Sequence, residues 1–178
     1  MEIEIIKWLQ SFKNKTFDII FYSFSFFASV IFLIVLFIIF LLLKKKKFGI
    51  YLLFCGAFNI IIIELLKYVI KRPRPYEISE QIESNIGSFG NSFPSLHICI
   101  ATTICVFGLY LFLSKNWDKW PNISAFVLCL IYLSMVGLSR MYFGQHFLSD
   151  IVGGFFITAF LCAFELNFFE YFSNKTKK

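Results

Sequence analysis

Two histidines and one nearby carboxylate share three short polar clusters with a set of cations, in an otherwise apolar chain of 178 residues. The first cluster is Lys67 with Arg74-Pro75. The second is Pro94-Ser95-Leu96-His97. The third is Ser139-Arg140, followed by His146 and Asp150. A guanidinium offers a planar fork that fits phosphate oxygens, and a lysine adds a mobile point charge. Lys67, Arg74 and Arg140 therefore suit an anion. Pro73 and Pro75 end a helix and stiffen the loop that carries Arg74. Lys71 and Arg72 read equally well as side chains snorkelling from a helix end. Glu64 lies three residues before Lys67, a spacing that suits an ion pair or the aiming of that lysine.

His146 and Asp150 are four residues apart, one helical turn. A carboxylate beside one ring nitrogen fixes the tautomer, leaves the other nitrogen free to attack, and stabilises the imidazolium. His97, one turn into another helix, can protonate a leaving oxygen. Helices that begin at Leu96 and near Phe147 would aim free N–H groups and positive dipole ends at the same anion. Ser95 can cap its helix or donate to a phosphate oxygen. A metal fits poorly, because the cations would repel it and thiolates are absent from these clusters. The five cysteines lie inside apolar runs and read as small buried hydrophobes.

These residues must be held by membrane elements. An average soluble domain carries about 45–50% apolar residues and roughly 25% charge. This chain has 58% and 16%, with a mean hydropathy of +0.75. The 26 phenylalanines read as lipid-facing and packing residues. Five stretches have the length and apolarity of membrane spans: 17–43, 48–70, 96–113, 122–138 and 147–172. The net charge of +6 sits at the ends of these runs, as in Lys44–Lys47, which suits lipid headgroups rather than nucleic acid. Residues 1–16 interleave apolar and charged side chains and read as an interfacial amphipathic helix with Trp8 as an anchor. The expected fold is an all-α membrane bundle of about five spans, with residues 1–16 as the interfacial helix and 17–178 as the transmembrane domain. Trp117 and Trp120 read as interface anchors on the far side. No cleavage site for a signal peptide follows the long first run.

Span counting brings the clusters together. The second span ends at Lys67–Arg74 and the third begins at Ser95–His97, so they share a membrane face. The third crosses away and the fourth returns, which puts Ser139-Arg140, His146 and Asp150 on that face too. With the site cations set aside, the opposite face is the more basic. The positive-inside tendency then makes the clusters extracytoplasmic.

The three motifs and their gaps resemble the type 2 phosphatidic acid phosphatase family, whose pattern is K-x6-R-P, P-S-G-H and S-R-x5-H-x3-D. The resemblance implies a membrane lipid phosphatase without cofactors. His146 would be the nucleophile that becomes phosphohistidine, Asp150 its orienting partner and His97 the acid. Lys67, Arg74, Ser95, Leu96, Ser139 and Arg140 would hold the phosphate. Leu96 stands where the family has glycine. A leucine in helical conformation keeps the N–H donor, whereas a position needing positive φ would lose activity. Undecaprenyl pyrophosphate, phosphatidylglycerophosphate and phosphatidic acid are the substrates that the resemblance suggests. A catalytically inactive binder or transporter of lipid phosphates is the alternative that Leu96 motivates. The expected partners are a lipid phosphate and the bilayer, with no nucleic acid, and oligomeric state is unreadable.

Overall fold

A computed structural model describes residues 1–84, 90–113 and 119–175, with side chains omitted at 119–120 and 170–175. Trp117 falls outside the described residues, as does the Trp120 side chain. The described chain is helical: α1 (Glu2–Gln10), α2 (Lys15–Phe27), α3 (Val30–Leu42), α4 (Lys46–Ile70), α5 (Pro75–Ile78), α6 (Leu96–Leu113), α7 (Lys119–Tyr142) and α8 (Leu148–Lys175). Among the described residues, four segments are long and apolar enough to cross a bilayer, and the bent pair α2–α3, taken as one span, makes a fifth. The protein is a multi-pass membrane protein. Its outward faces are lined by side chains such as Ile61, Phe156 and Phe164, which suit lipid rather than water.

The first predicted span is not one helix. It breaks at Ala28–Ser29 with a bend of 55°. Ser29 has extended backbone and its hydroxyl accepts from Phe32 N–H, so it caps a new helix. The Phe27 carbonyl near the break is taken by the Tyr132 hydroxyl at 2.7 Å. A freed backbone group in the membrane needs such a partner. The pair still runs the length of the bundle. Asp18 accepts from the Tyr142 hydroxyl at one end, and Phe40 packs on Gly49 near the other.

Helix α6 is the hub, packed against α4, α7 and α8. Where α8 passes the start of α6, Gly154 lies against the backbone of Ser95. A Cβ at that glycine would stand 3.2 Å from the Ser95 carbonyl. This close approach sets the N-terminal ends of α6 and α8 side by side. Farther along, Asn59 of α4 donates to Thr103 of α6 (3.2 Å) and Glu165 of α8 (3.4 Å). Polar links of this kind join helices where lipid offers no hydrophobic drive. Helix α1 does not float free. Ile6 and Leu9 are buried with Ile82, Met141 and Phe147, at the same end of the bundle as the polar clusters.

The predicted fourth span, 122–138, is longer in the structure. Helix α7 carries Ser139 and Arg140 in its last turns, and the turn to α8 is confined to residues 143–147. Gly144 makes that turn with a φ of +67°, a conformation that suits glycine.

Candidate active site

The end of α4 is closed by Lys71 in left-handed conformation, with its N–H donating to Lys67 C=O. The chain then runs extended through Arg72 to Arg74. Glu77 accepts the Arg74 backbone N–H at 2.8 Å and so fixes the start of α5. This strand-like stretch is laced to the segment before α6: Ser92 N–H donates to Arg72 C=O at 2.8 Å. Asn91 donates to Lys67 C=O at 3.0 Å. Ser95 N–H donates to Asp150 C=O at 3.2 Å, which ties in α8. All three sequence clusters therefore meet at one end of the bundle, as span counting predicts.

Arg74 is buried. Its Nε donates to Gly90 C=O (2.9 Å), and its Nη1 to the carbonyl and side-chain oxygens of Gln145 (3.1 and 3.0 Å). Arg140 is buried on α7, with Nη1 donating to Ser25 Oγ at 3.2 Å. Its Nε has no hydrogen-bond partner among the described residues. Lys67 is buried and paired with Glu64 at 2.8 Å, the i,i+3 ion pair that the sequence suggests. Ser95 Oγ is buried and without a partner among the described residues. Ser139, expected on the phosphate, donates its hydroxyl to Val136 C=O (2.7 Å) and lies 3.0 Å from Ser25 Oγ. It faces α2.

Leu96 is the first residue of α6, in ordinary helical conformation. Among the described residues, the positive-φ residues other than glycine are Lys44 and Lys71. Its backbone donor thus survives, and its side chain packs against the apolar cluster that includes Ile100 of the same helix. His97 follows in the first turn, within electrostatic reach of Arg140, His146, Lys67 and Arg74.

Asp150 is the third residue of α8 and fully buried. Its Oδ2 accepts the Phe147 N–H at 2.8 Å, closing the start of the helix, and also accepts the Ser92 hydroxyl. Its Oδ1 accepts Arg72 Nη1 at 2.6 Å. His146 lies just before α8, 2% exposed, so its burial is nearly complete. Its Nδ1 stands 3.6 Å from Asp150 Oδ2, in ion-pair range but longer than a hydrogen bond. Burial pushes the His146 imidazole down to about 4. The Asp150 carboxylate pulls the other way, while Arg140 and Arg74 reinforce the drop. The ring is therefore neutral at pH 7, the form that can attack. Any turnover that needs this ring neutral should show an acid limb of kcat/KM near pH 4, well below the ordinary histidine value of about 6.5. A pH profile of the detergent-solubilised protein checks this, and a limb at ordinary histidine pH would contradict it.

Three site residues were not identified from sequence. Arg72, read there as equally a snorkelling side chain, bonds Asp150, whereas Lys71 stays exposed over the Tyr68 ring. Ser92 and Gln145 carried no signal of their own, although each neighbours a recognised motif residue closely. Among the described residues, no three His, Cys, Asp or Glu side chains gather at metal-ligand spacing.

A buried cationic cradle, with an imidazole beside a carboxylate at the mouth of a helical membrane bundle, defines a class of anion-handling membrane protein. The sequence model of the PAP2 superfamily matches residues 48–174, and the chain belongs to that superfamily. It is 31% identical over 102 residues to sphingosine-1-phosphate phosphatase 2 of Homo sapiens, covering 55% of this chain and 24% of that protein. It is 27% identical over 110 residues to dihydrosphingosine 1-phosphate phosphatase C823.11 of Schizosaccharomyces pombe, covering 60% and 26%. The chain thus spans about a quarter of the length of these curated relatives. Its fold is similar to that of a transmembrane PAP2 type phosphatidylglycerolphosphate phosphatase from Bacillus subtilis. The TM-score is 0.78 at 24% identity, over 96% of this chain and 85% of that one. Aquifex aeolicus LpxE matches with a TM-score of 0.75 at 22% identity, over 93% and 94%.

Proposed function

We propose that the protein is a membrane lipid phosphatase that removes a terminal phosphate through a phosphohistidine intermediate. The observation that carries this reading is the His146 ring, neutral and buried, with Nδ1 toward Asp150 and the cations Arg140 and Arg74 acting on it from two separate segments. Since Nδ1 faces the carboxylate, Nε2 is the nitrogen left to attack phosphorus. The Nε2–P bond forms as the P–O bond to the lipid breaks, and His97, protonated once the negative charge of the bound phosphate offsets the surrounding cations, gives its proton to the departing oxygen. Water then attacks the phosphohistidine, His97 takes a proton from it, and inorganic phosphate leaves. Negative charge on the phosphoryl oxygens is met by Lys67, Arg74, Arg140, the Leu96 N–H and the Ser95 hydroxyl. Ser95 Oγ and Arg140 Nε are buried polar groups without partners among the described residues, so a phosphate would satisfy both.

The reaction needs no metal in this reading, because the cradle itself supplies the positive charge. EDTA should leave turnover unchanged, and its loss on chelation would contradict this.

Lipids fit the surroundings. A groove of about 250 Å³ opens between α6, α7 and α8, lined by Ile98, Leu133, Ile151 and Phe155 among others. Ile98 and Ile151 are the direct neighbours of His97 and Asp150, so an apolar tail can lie here while its headgroup reaches the site. Leu133→Trp should raise KM for a long-chain lipid phosphate roughly tenfold by filling the groove. It should leave hydrolysis of a water-soluble aryl phosphate unaltered. Equal effects on both substrates would contradict the tail assignment.

The substrate class is an apolar-tailed phosphate ester, as the names of the relatives describe for them. Sphingosine 1-phosphate, phosphatidic acid, phosphatidylglycerophosphate and undecaprenyl pyrophosphate are the compounds to compare. The Lys44–Lys47 segment lies at the opposite end of the bundle, and with the site cations set aside the positive-inside tendency favours an extracytoplasmic site. Phosphate release from this panel by purified protein, set against His146→Ala, tests the function. Release that survives the substitution would leave a lipid-phosphate binder as the reading.

A further inference from the structure

We propose that helix α1 is a working part of the catalytic centre: Glu2, acting through Arg72, is a positioning residue for the Asp150 carboxylate. The inference rests on the phosphatase reading above. It starts from a chain of contacts that joins the first turn of the protein to the residue beside His146. Glu2 Oε2 stands 3.1 Å from Arg72 Nη2. Glu2 Oε1 accepts the Ser149 N–H at 2.8 Å, in the first turn of α8. Arg72 Nη1 donates at 2.6 Å to both Ser149 Oγ and Asp150 Oδ1. The guanidinium lies over the Phe147 ring, 4.3 Å from its centroid. Glu2 thus grips Arg72 and the α8 start together, and Arg72 grips Asp150.

The rest of α1 holds this grip in place. Ile6 is wholly buried and Leu9 nearly so, against Ile82, Met141 and Phe147. At the other end, Gln10 donates to Glu83 C=O (2.7 Å) and Tyr142 C=O (3.0 Å). Lys13 pairs with Glu83 at 2.8 Å. The opposite face of α1 exposes Trp8, and Phe12 just past its end is exposed too, which suits a membrane surface. A surface helix with so many ties to the site is more than a membrane anchor.

The electrostatic consequence is specific. Asp150 must stabilise the positive charge that His146 acquires when it bonds phosphorus. Arg72 competes for that same carboxylate, and Arg74 adds positive charge nearby. Glu2 offsets Arg72 from the far side. Burial would raise the Glu2 carboxyl, but the Ser149 N–H and Arg72 outweigh it and hold the group below its usual range. Glu2 is therefore charged at neutral pH and takes up part of what Arg72 would otherwise draw from Asp150. Without it, Arg72 neutralises Asp150 more fully, and the cations Arg74 and Arg140 act on His146 with less opposition.

Glu2→Gln tests this, with Glu4→Gln as a control, since Glu4 pairs with Lys7 on the exposed side. In Glu2→Gln, kcat should fall roughly tenfold, with KM changed less than about twofold. The acid limb of kcat/KM should move to lower pH, because His146 loses negative charge nearby. Glu4→Gln should match the wild type. Gln10→Ala removes two contacts at the far end of the same helix and leaves the Glu2 contacts in place: it should lower Tm without moving the acid limb. In an Arg72→Gln background, Glu2→Gln should add no further loss. Glu2→Asp, which keeps the charge on a shorter stem, should retain more kcat than Glu2→Gln and carries the test if the amide variant does not fold. Wild-type kcat and an unmoved acid limb in Glu2→Gln, or losses that add in the Arg72→Gln background, would overturn the proposal. A wild-type protein that releases no phosphate, or a His146→Ala variant that still does, would instead overturn the phosphatase reading.

Discussion

His146→Ala should lower phosphate release on the order of 10⁴-fold, with little change in stability. The ring is buried, but its Nδ1 makes no hydrogen bond to the described residues, so its removal strands few polar partners. The cations that hold phosphate stay in place, and the variant should therefore still bind a lipid phosphate. This separation distinguishes the nucleophile from its neighbours. A loss of binding as large as the loss of turnover would point instead to a ring that merely shapes the pocket. Phosphate release, ligand-induced thermal shift and the unliganded Tm, measured on one preparation, provide the comparison.

The second large effect is expected from Asp150→Asn, and it should strike both activity and stability. The carboxylate accepts Arg72 on one oxygen, and Ser92 and the Phe147 N–H on the other. An amide can accept on one side only. Turned one way its NH₂ faces the Arg72 guanidinium; turned the other way it faces the Phe147 N–H. A buried pair broken on one side costs about 3–5 kcal/mol, so Tm should fall clearly. Loss of the charge beside His146 should lower kcat by roughly 10³-fold, with a smaller change in KM. A variant as stable as the wild type would show that these hydrogen bonds matter less than their distances imply. A variant that turns over normally would remove Asp150 from the mechanism.

The convergence of the clusters was legible in the sequence because it depends only on the parity of membrane crossings. Residues 67–74, 95–97 and 139–150 could be assigned to one face without any knowledge of packing. Leu96 posed a question that backbone conformation answers, since helical φ leaves its N–H available. Other features were not legible, for physical reasons. The break at Ala28–Ser29 lies inside a run whose apolar length satisfies a single span, and only Ser29 as a cap hints at it. Ser139 stood in the right motif, but its hydroxyl direction depends on how α2 lies against α7. Arg72 could not be separated from Lys71, because both follow the same helix. A left-handed residue at 71 turns one side chain to the surface and sends the next toward Asp150. Glu2 is about 150 positions from Asp150 in sequence, and no local pattern can report that pairing.

Rapid-quench labelling with a substrate carrying radioactive phosphate tests the central claim most directly. The account predicts transient phosphate on the protein, stable to base and labile to acid, located at His146 by mass spectrometry and absent from His146→Ala. Turnover that proceeds with no labelled protein, or with label on a different residue, would contradict a histidine nucleophile in this site.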